Sequence, residues 1–469
     1  MHESNINTDN SNTSRVKFIS KIYILSVVME PFYMFVLAPQ GITGIGASFS
    51  RILQFIVCAS LCLKFFSSKR DRDIILNSFS PLNNNFTYYF IFIILVGFLG
   101  FYTGSYSFNI EPSTQVVNNS IIVDFIHSHS FRPFLEYFIA FYYFAYFVVL
   151  ALYILTSKEA IDYFFRIFGI AFLLCMVLGY IDYLYIYYYE SAGYLLPRHI
   201  ADGNTVGFRF HGIAGEPRDA FSYLMLSLGI FVLRDIWEDK KKLSLFLIIL
   251  IITSAFLTES FSGILGIVFF VILIVIYYLP FAPSKMKRLL LYMLLLAAII
   301  IFINILVSPR LIRYYQDLFQ LYSLLDGGLS LSESVYRVTM NNIYPIWHLW
   351  TEIREFDFLH FFIGNGIGSV RVINNYYMGT SELMNPNAFI IRSLYETGVV
   401  GTLLFISVFL TPIKKMYMNN IIHSKLIIFM LLMLGVYFAH RSSIPYIFLG
   451  ITLVVLKNKL ITSGSTSLQ

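Results

Sequence analysis

Long apolar runs alternate with short polar connections along almost the whole chain. A helix that crosses a bilayer needs about 20 mostly apolar residues. Twelve stretches meet that requirement, near 21–38, 49–66, 86–104, 131–155, 160–186, 219–235, 243–258, 261–280, 288–308, 388–411, 424–440 and 443–457. Very tight turns around Glu259 and Arg441 join two of the pairs. The pattern predicts an all-α polytopic membrane protein with short tails at 1–20 and 458–469. Between them run spans one to nine (21–308, with a loop at 187–218), a large loop at 309–387, and spans ten to twelve (388–457). No repeat of 20–50 residues interrupts this layout.

Composition agrees with lipid as the solvent. Hydrophobic residues make up 57 % and charged residues 13 % of the chain, against about 25 % charged in a soluble domain. The mean hydropathy is +0.71. Cys58, Cys62 and Cys175 all lie inside apolar runs, where cysteine acts as a small hydrophobe; neither a disulfide framework nor a metal site is expected. The first apolar run is long and lacks a small-residue cleavage site, so it reads as a retained signal anchor.

Charge sets the orientation. With a cytoplasmic N-terminus, every lysine falls on or near the inner side, including Lys69, Lys158, Lys240 to Lys242, Lys285, Lys287, Lys414, Lys415, Lys457 and Lys459, as the positive-inside rule requires. The net charge of +6 then records loop flanks and gives no reason to invoke nucleic acid. The outer segments carry arginines alone: Arg51, Arg198, Arg209, Arg218, Arg310, Arg313, Arg337, Arg354, Arg371, Arg392 and Arg441. These break the rule, so something other than topology holds them there. One reason is pairing with acidic residues of the loop such as Glu333, Glu352, Glu355 and Asp357. The other is an anionic ligand, because guanidinium binds phosphate and carboxylate in a planar, bidentate way.

The large loop is rich in Tyr, Phe and Trp. Disorder requires few aromatics, so the loop is expected to fold over a site. Its Gly364-Asn365-Gly366-Ile367-Gly368-Ser369 has the glycine content of a phosphate cradle, or equally of a tight turn; no Walker lysine follows it. Arg209 to Asp219 lead directly into a span, with Pro217 suited to a first helical turn and Glu216 close to a helix start. Inside the spans, Glu30, Arg132, Glu136, Asp162, Arg166 and Asp182 stand out, since charge there is costly. Arg132/Glu136 and Asp162/Arg166 are four apart, which local ion pairs explain.

These pieces occur in a recognisable order. Arg209-x-x-Gly212 and Glu216-Pro217 precede one span, and Leu257 to Gly263 opens another. Ser332-Glu333-Ser334-Val335-Tyr336-Arg337, Ile363 to Ser369, Asn385-Pro386-Asn387 and Leu394 to Gly401 follow. Over about residues 200–410 the chain resembles the superfamily of O-antigen polymerases (Wzy-type) and O-antigen ligases. The resemblance implies a twelve-span bacterial inner-membrane glycosyltransferase with a glycosyltransferase C-like architecture and a large periplasmic loop. It implies metal-independent transfer from an undecaprenyl-pyrophosphate-linked oligosaccharide, without a cofactor, in lipopolysaccharide biosynthesis. A chain-length regulator protein is an expected partner. By motif match Arg209 and Arg337 would hold the pyrophosphate, with Arg218, Arg354 and Arg371 as further contacts.

Ligases of the superfamily carry His-Asn where this chain has Pro386-Asn387, so the acceptor base of a ligase is missing and the polymerase reading leads. Asn387 is kept as a substrate contact. The polymerase's own base is then open: Glu216 and Glu396 are the carboxylate candidates, His211 and His360 the imidazole ones. A ligase and a lipid-linked-oligosaccharide flippase remain the alternatives. A flippase should show internal repeats and mid-membrane polar residues.

Overall fold

In the computed structural model the described residues are 10–32, 36–38, 47–69, 72–73, 83–102, 132–188, 210–214, 217–240, 245–258, 358–369, 389–418, 427, 431 and 442–462. They are helical apart from turns and one small antiparallel strand pair. Helix α1 (Asn10–Met29) ends in a 3-10 turn (Glu30–Phe32). Strands β1 (Val36–Ala38) and β2 (Ala47–Ser48) pair next, with Val36 opposite Ser48 and Ala38 opposite Ala47. Helices α2 (Phe49–Ser67), α3 (Asn83–Tyr102) and α4 (Arg132–Tyr143) follow. A π-helical stretch (Phe144–Val149) joins α4 to α5 (Leu150–Ile154) without a break. Then come α6 (Lys158–Tyr188), α7 (Pro217–Trp237), α8 (Leu245–Leu257), α9 (Phe358–Ile363), α10 (Phe389–Met418) and α11 (Ile444–Thr462).

Five of these helical stretches are long and apolar enough to cross a membrane: Phe49–Ser67, Tyr137–Ile154, Lys158–Tyr185, Asp219–Trp237 and Ile391–Leu410. The protein is a helical membrane protein. Residues 259–357 and 370–388, which hold the expected eighth and ninth spans and most of the 309–387 loop, lie outside the described residues.

Burial ranks the helices. Asp219–Trp237 is 89 % buried inside the bundle and Phe49–Ser67 only 28 %, so α7 is the hub and α2 a peripheral helix. Helix α7 packs on α6, α8 and α11, while α1 packs on α2 and α6. On the outside, α2 exposes Phe55, Leu63 and Phe66, and α6 exposes Ile170, Leu173, Val177, Ile181 and Leu184. Stripes of that size are unstable against water and comfortable against lipid.

The π-helical stretch has a packing reason. A Cβ at Gly450 of α11 would overlap the Phe147 carbonyl, so glycine admits the two backbones to close contact where the helix widens. Extra turns of this kind collect at functional sites, and two tyrosines at this one, Tyr143 and Tyr146, belong to the polar cluster described next.

Candidate functional site

The cluster begins where α1 stops. Pro31 cannot continue an α-helical ladder, and the 3-10 turn brings the Glu30 carboxylate against the first turns of α2. Ser48 caps α2 by accepting from the Arg51 backbone N–H at 3.4 Å, which fixes where Arg51 leaves the helix. A carboxylate at a helix N-terminus is favoured by the exposed amide dipoles there.

Three α2 side chains then donate to Glu30: Arg51 Nη2 to Oε1 at 2.8 Å, Ser50 Oγ to Oε2 at 2.8 Å and Gln54 Nε2 to Oε2 at 2.6 Å. Arg51 Nη1 also donates to Gln54 Oε1 at 3.0 Å, and Nη2 to the Tyr143 hydroxyl at 3.3 Å. The guanidinium lies 5.8 Å from the ring centre of Tyr142 and 5.7 Å from that of Tyr143, within reach of cation–π attraction. Tyr142 donates to Gln54 Oε1 at 2.6 Å, and one turn deeper Tyr146 and Ser26 share a 2.6 Å hydrogen bond.

The exposures of the two charges differ, and that decides the chemistry. The Glu30 side chain is 4 % exposed and that of Arg51 41 %. Glu30 is enclosed and committed to its three donors. Arg51 is a permanent cation held rigid on one side and open on the other. It heads the exposed α2 stripe, since Phe55 follows four residues on along the same helix face. Tyr143, which Arg51 touches, is about halfway along the continuous run 132–154. An ion pair inside an apolar helical bundle is a functional-site candidate. What it can do is hold an anion that approaches from the lipid side.

A second buried pair lies at the start of α10. Arg392 Nε donates to Glu396 Oε1 at 3.1 Å, with both side chains 2 % exposed or less. Two residues on, Gly398 breaks the helix at φ 64, ψ −171, a conformation open essentially to glycine alone. The break frees carbonyl groups, and the glycine loop supplies their donors: Asn365 N–H to Tyr395 O and Gly366 N–H to Glu396 O, each at 2.9 Å. A Cβ at Gly364 would come within 2.5 Å of the Gly398 nitrogen. Thr402 closes the far side by donating to Gly398 O at 2.8 Å. The glycine stretch therefore repairs a broken helix: its two amides at Asn365 and Gly366 are spent on protein carbonyls, and the turn reading holds over the phosphate cradle.

Most of the sequence-derived site residues lie outside the described residues. Arg209, Glu216, Arg337, Arg354, Arg371 and Asn387 lie outside the described residues. Arg218 is the second residue of α7, and only its backbone is described. Of the base candidates, Glu396 is sealed in its pair with Arg392, which removes it from contact with an acceptor sugar. His211 is buried in the turn that follows Arg209. That turn is pinned by Phe210, whose N–H donates to Leu257 O at 2.7 Å and whose ring lies 5.2 Å from Tyr180. Asp162, expected to pair with Arg166, accepts instead from Trp237 Nε1 at 2.6 Å.

Of the arginines expected on the outer side, the two whose side chains are described, Arg51 and Arg392, are held by glutamates of this chain. Sequence reasoning noted Glu30 and Arg51 separately and did not join them across the 3-10 turn and the strand pair. The Arg392–Glu396 spacing of four was a legible signal. Among the described residues no group of three or more His, Cys, Asp or Glu could hold a metal ion. No protein-family profile matches the chain, and no curated protein matches it.

Proposed function

We propose that the chain is a twelve-span inner-membrane polymerase that extends an O-antigen-like polysaccharide from undecaprenyl-pyrophosphate-linked repeat units. The observation that carries the reading is Arg51: a fixed guanidinium, anchored by Glu30 and 41 % exposed, at the head of a lipid-facing stripe. A lipid diphosphate arriving from the bilayer would meet such a cation first.

In the proposed reaction a hydroxyl of the incoming unit's terminal sugar attacks the anomeric carbon of the growing glycan. The bond from that carbon to the pyrophosphate oxygen breaks, and the diphosphate leaves with the electron pair. Arg209 and Arg337, with Arg51 as an added grip, would stabilise the charge that develops there; preorganised cations do this at low reorganisation cost. Arg218, Arg354, Arg371 and Asn387 complete the substrate contacts, and Glu216 takes the hydroxyl proton. The Phe210 anchor supports a role for Arg209, because it fixes the residue that follows. The active face is the periplasmic one, opposite the lysines.

The test is a lipopolysaccharide gel. Arg209→Ala and Arg337→Ala should each abolish long O-chains and leave a single repeat on lipid A. Persistence of long chains in both would refute the diphosphate grip.

A lipid-linked-oligosaccharide flippase is the second reading, favoured by the break in α10 beside a buried ion pair, since transporters use discontinuous helices. A deletion strain separates the readings. One capped repeat means polymerase, free lipid-linked polymer means ligase, and loss of all periplasmic glycan means flippase.

A further inference from the structure

Apart from the Arg51 cluster is a cavity of about 640 Å³ lined by Lys158, Asp162, Phe165, Arg166, Arg234, Trp237, Glu238 and Asp239. That volume lies within the range of small-molecule sites. By formal count the lining is balanced, with three cations and three carboxylates. Ion pairs with residues outside the lining neutralise two of the three carboxylates, Asp239 and Glu238, while Asp162 keeps its charge. Asp162 accepts from the Trp237 indole at 2.6 Å, Asp239 is bound by Lys459 Nζ at 2.6 Å, and Glu238 is bridged by Lys240. Each lining carboxylate thus has a donor of its own from outside the set of lining cations.

The cations are left facing the space. Among the described residues neither Lys158 nor Arg166 forms an ion pair with these carboxylates, and both are exposed. Arg234 reaches Asp235 only at 3.7 Å, and its guanidinium lies 5.1 Å from the Phe231 ring centre. Its Nε is buried without a hydrogen-bond partner among the described residues, a donor that ordinarily finds an acceptor. Two planar guanidinium groups and an ammonium around one space form a receptor for a phosphoryl group.

What carries that phosphoryl group follows from the helix that supplies Arg166. Ile170, Leu173, Val177, Ile181 and Leu184 are all exposed, and with Arg166 they form one i, i+4, i+7 stripe along α6. An acyl chain laid in that stripe would bring its head group to Arg166. Trp237, in the lining, is the residue type that belongs at the level of head groups.

We propose that this cavity is a second site that binds the phosphodiester head group of an anionic phospholipid, with the acyl chain along the exposed stripe of α6. Arg166 and Arg234 grip the phosphate, Lys158 adds charge at the mouth, and Trp237 sets the depth. The site is independent of the polymerase reading, because its test reads lipid binding and no glycan.

The experiment uses the full chain in neutral detergent, titrated with phosphatidylglycerol, phosphatidylcholine or inorganic phosphate and followed by native mass spectrometry. Phosphatidylglycerol adducts should persist at about tenfold lower concentration than phosphatidylcholine adducts, and Arg166→Gln/Arg234→Gln, which removes both guanidinium contacts, should erase that preference. Should the double variant fail to fold, Arg166→Gln alone decides, since Arg166 is exposed. Equal retention of both lipids by the unaltered chain, or unchanged preference in Arg166→Gln, overturns the proposal. Displacement of phosphatidylglycerol by millimolar inorganic phosphate supports the phosphoryl grip. Phosphate binding without lipid retention overturns the lipid assignment.

Discussion

Neutralising Glu30 and Arg51 singly and together separates a structural pair from a functional cation. Glu30→Gln removes the charge that anchors Arg51 and replaces one accepting oxygen by an amide nitrogen, so the donors from Arg51, Ser50 and Gln54 can no longer all be accepted. Breaking a fully buried pair costs about 3–5 kcal/mol. Arg51 is 41 % exposed, and screening brings the expected loss to about 1–3 kcal/mol. Arg51→Gln leaves a carboxylate 4 % exposed with Ser50 and Gln54 still donating, for a loss of about 2–4 kcal/mol. In the double variant two neutral amides face each other, so the combined loss should fall short of the sum by at least about 1 kcal/mol. Unfolding in mixed micelles gives the stabilities, and the lipopolysaccharide gel gives the activity. The double variant should be less destabilised than the two losses added, while long chains stay absent, because the cation is gone. Strict additivity would refute the pair as the coupling element. A double variant that makes long chains would remove Arg51 from the diphosphate grip.

Three further outcomes are expected. Gly398→Ala should destabilise the protein by about 3 kcal/mol or more, from a disallowed backbone and displacement of the loop that caps α10; unfolding midpoints check it, and an unshifted midpoint would mean that the break is not fixed by glycine. Arg392→Met should cost about 3–5 kcal/mol, and Arg392→Met/Glu396→Leu should recover most of it, as apolar replacement of buried pairs commonly does; a double variant as weak as the single would show that Glu396 has another essential task. A reporter fused after Gly328 should report the periplasm, and a cytoplasmic signal there would reverse the orientation.

What the sequence made legible is the solvent. Apolar runs of bilayer length reported the helical membrane class because, in lipid, every backbone group must be satisfied within a helix, and that rule needs no tertiary contact. The polar sites were legible only in part. Arg392 and Glu396 are one turn apart, so helical periodicity brings them together. Glu30 and Arg51 are joined by a 3-10 turn and a two-stranded pairing, neither of which has a period to detect. Asp162 shows the opposite failure: periodicity offered Arg166, and tertiary packing of α7 on α6 supplied the Trp237 indole instead, at 2.6 Å. The glycine loop failed as a phosphate signature for a related reason. Glycine reports that backbones come close, and whether the partner is a phosphate or a broken helix is settled by what the fold brings there.

The two exposed stripes tie these observations together. On α2 the stripe begins at Arg51, and on α6 it begins at Arg166. Each arginine is planar, permanently charged and placed where an apolar face meets a polar end, which is the geometry of a lipid carrying a phosphate. The difference lies in the counter-charge. Glu30 is enclosed and commits Arg51 to one orientation, as a group that must present its charge to a reacting diphosphate requires. Around Arg166 the carboxylates are engaged by other donors, which leaves the guanidinium free to adapt to a head group. Rigid presentation at one site and adaptable charge at the other is a division that the proposed polymerase would need, and the variants at Arg51 and Arg166 test its two halves separately.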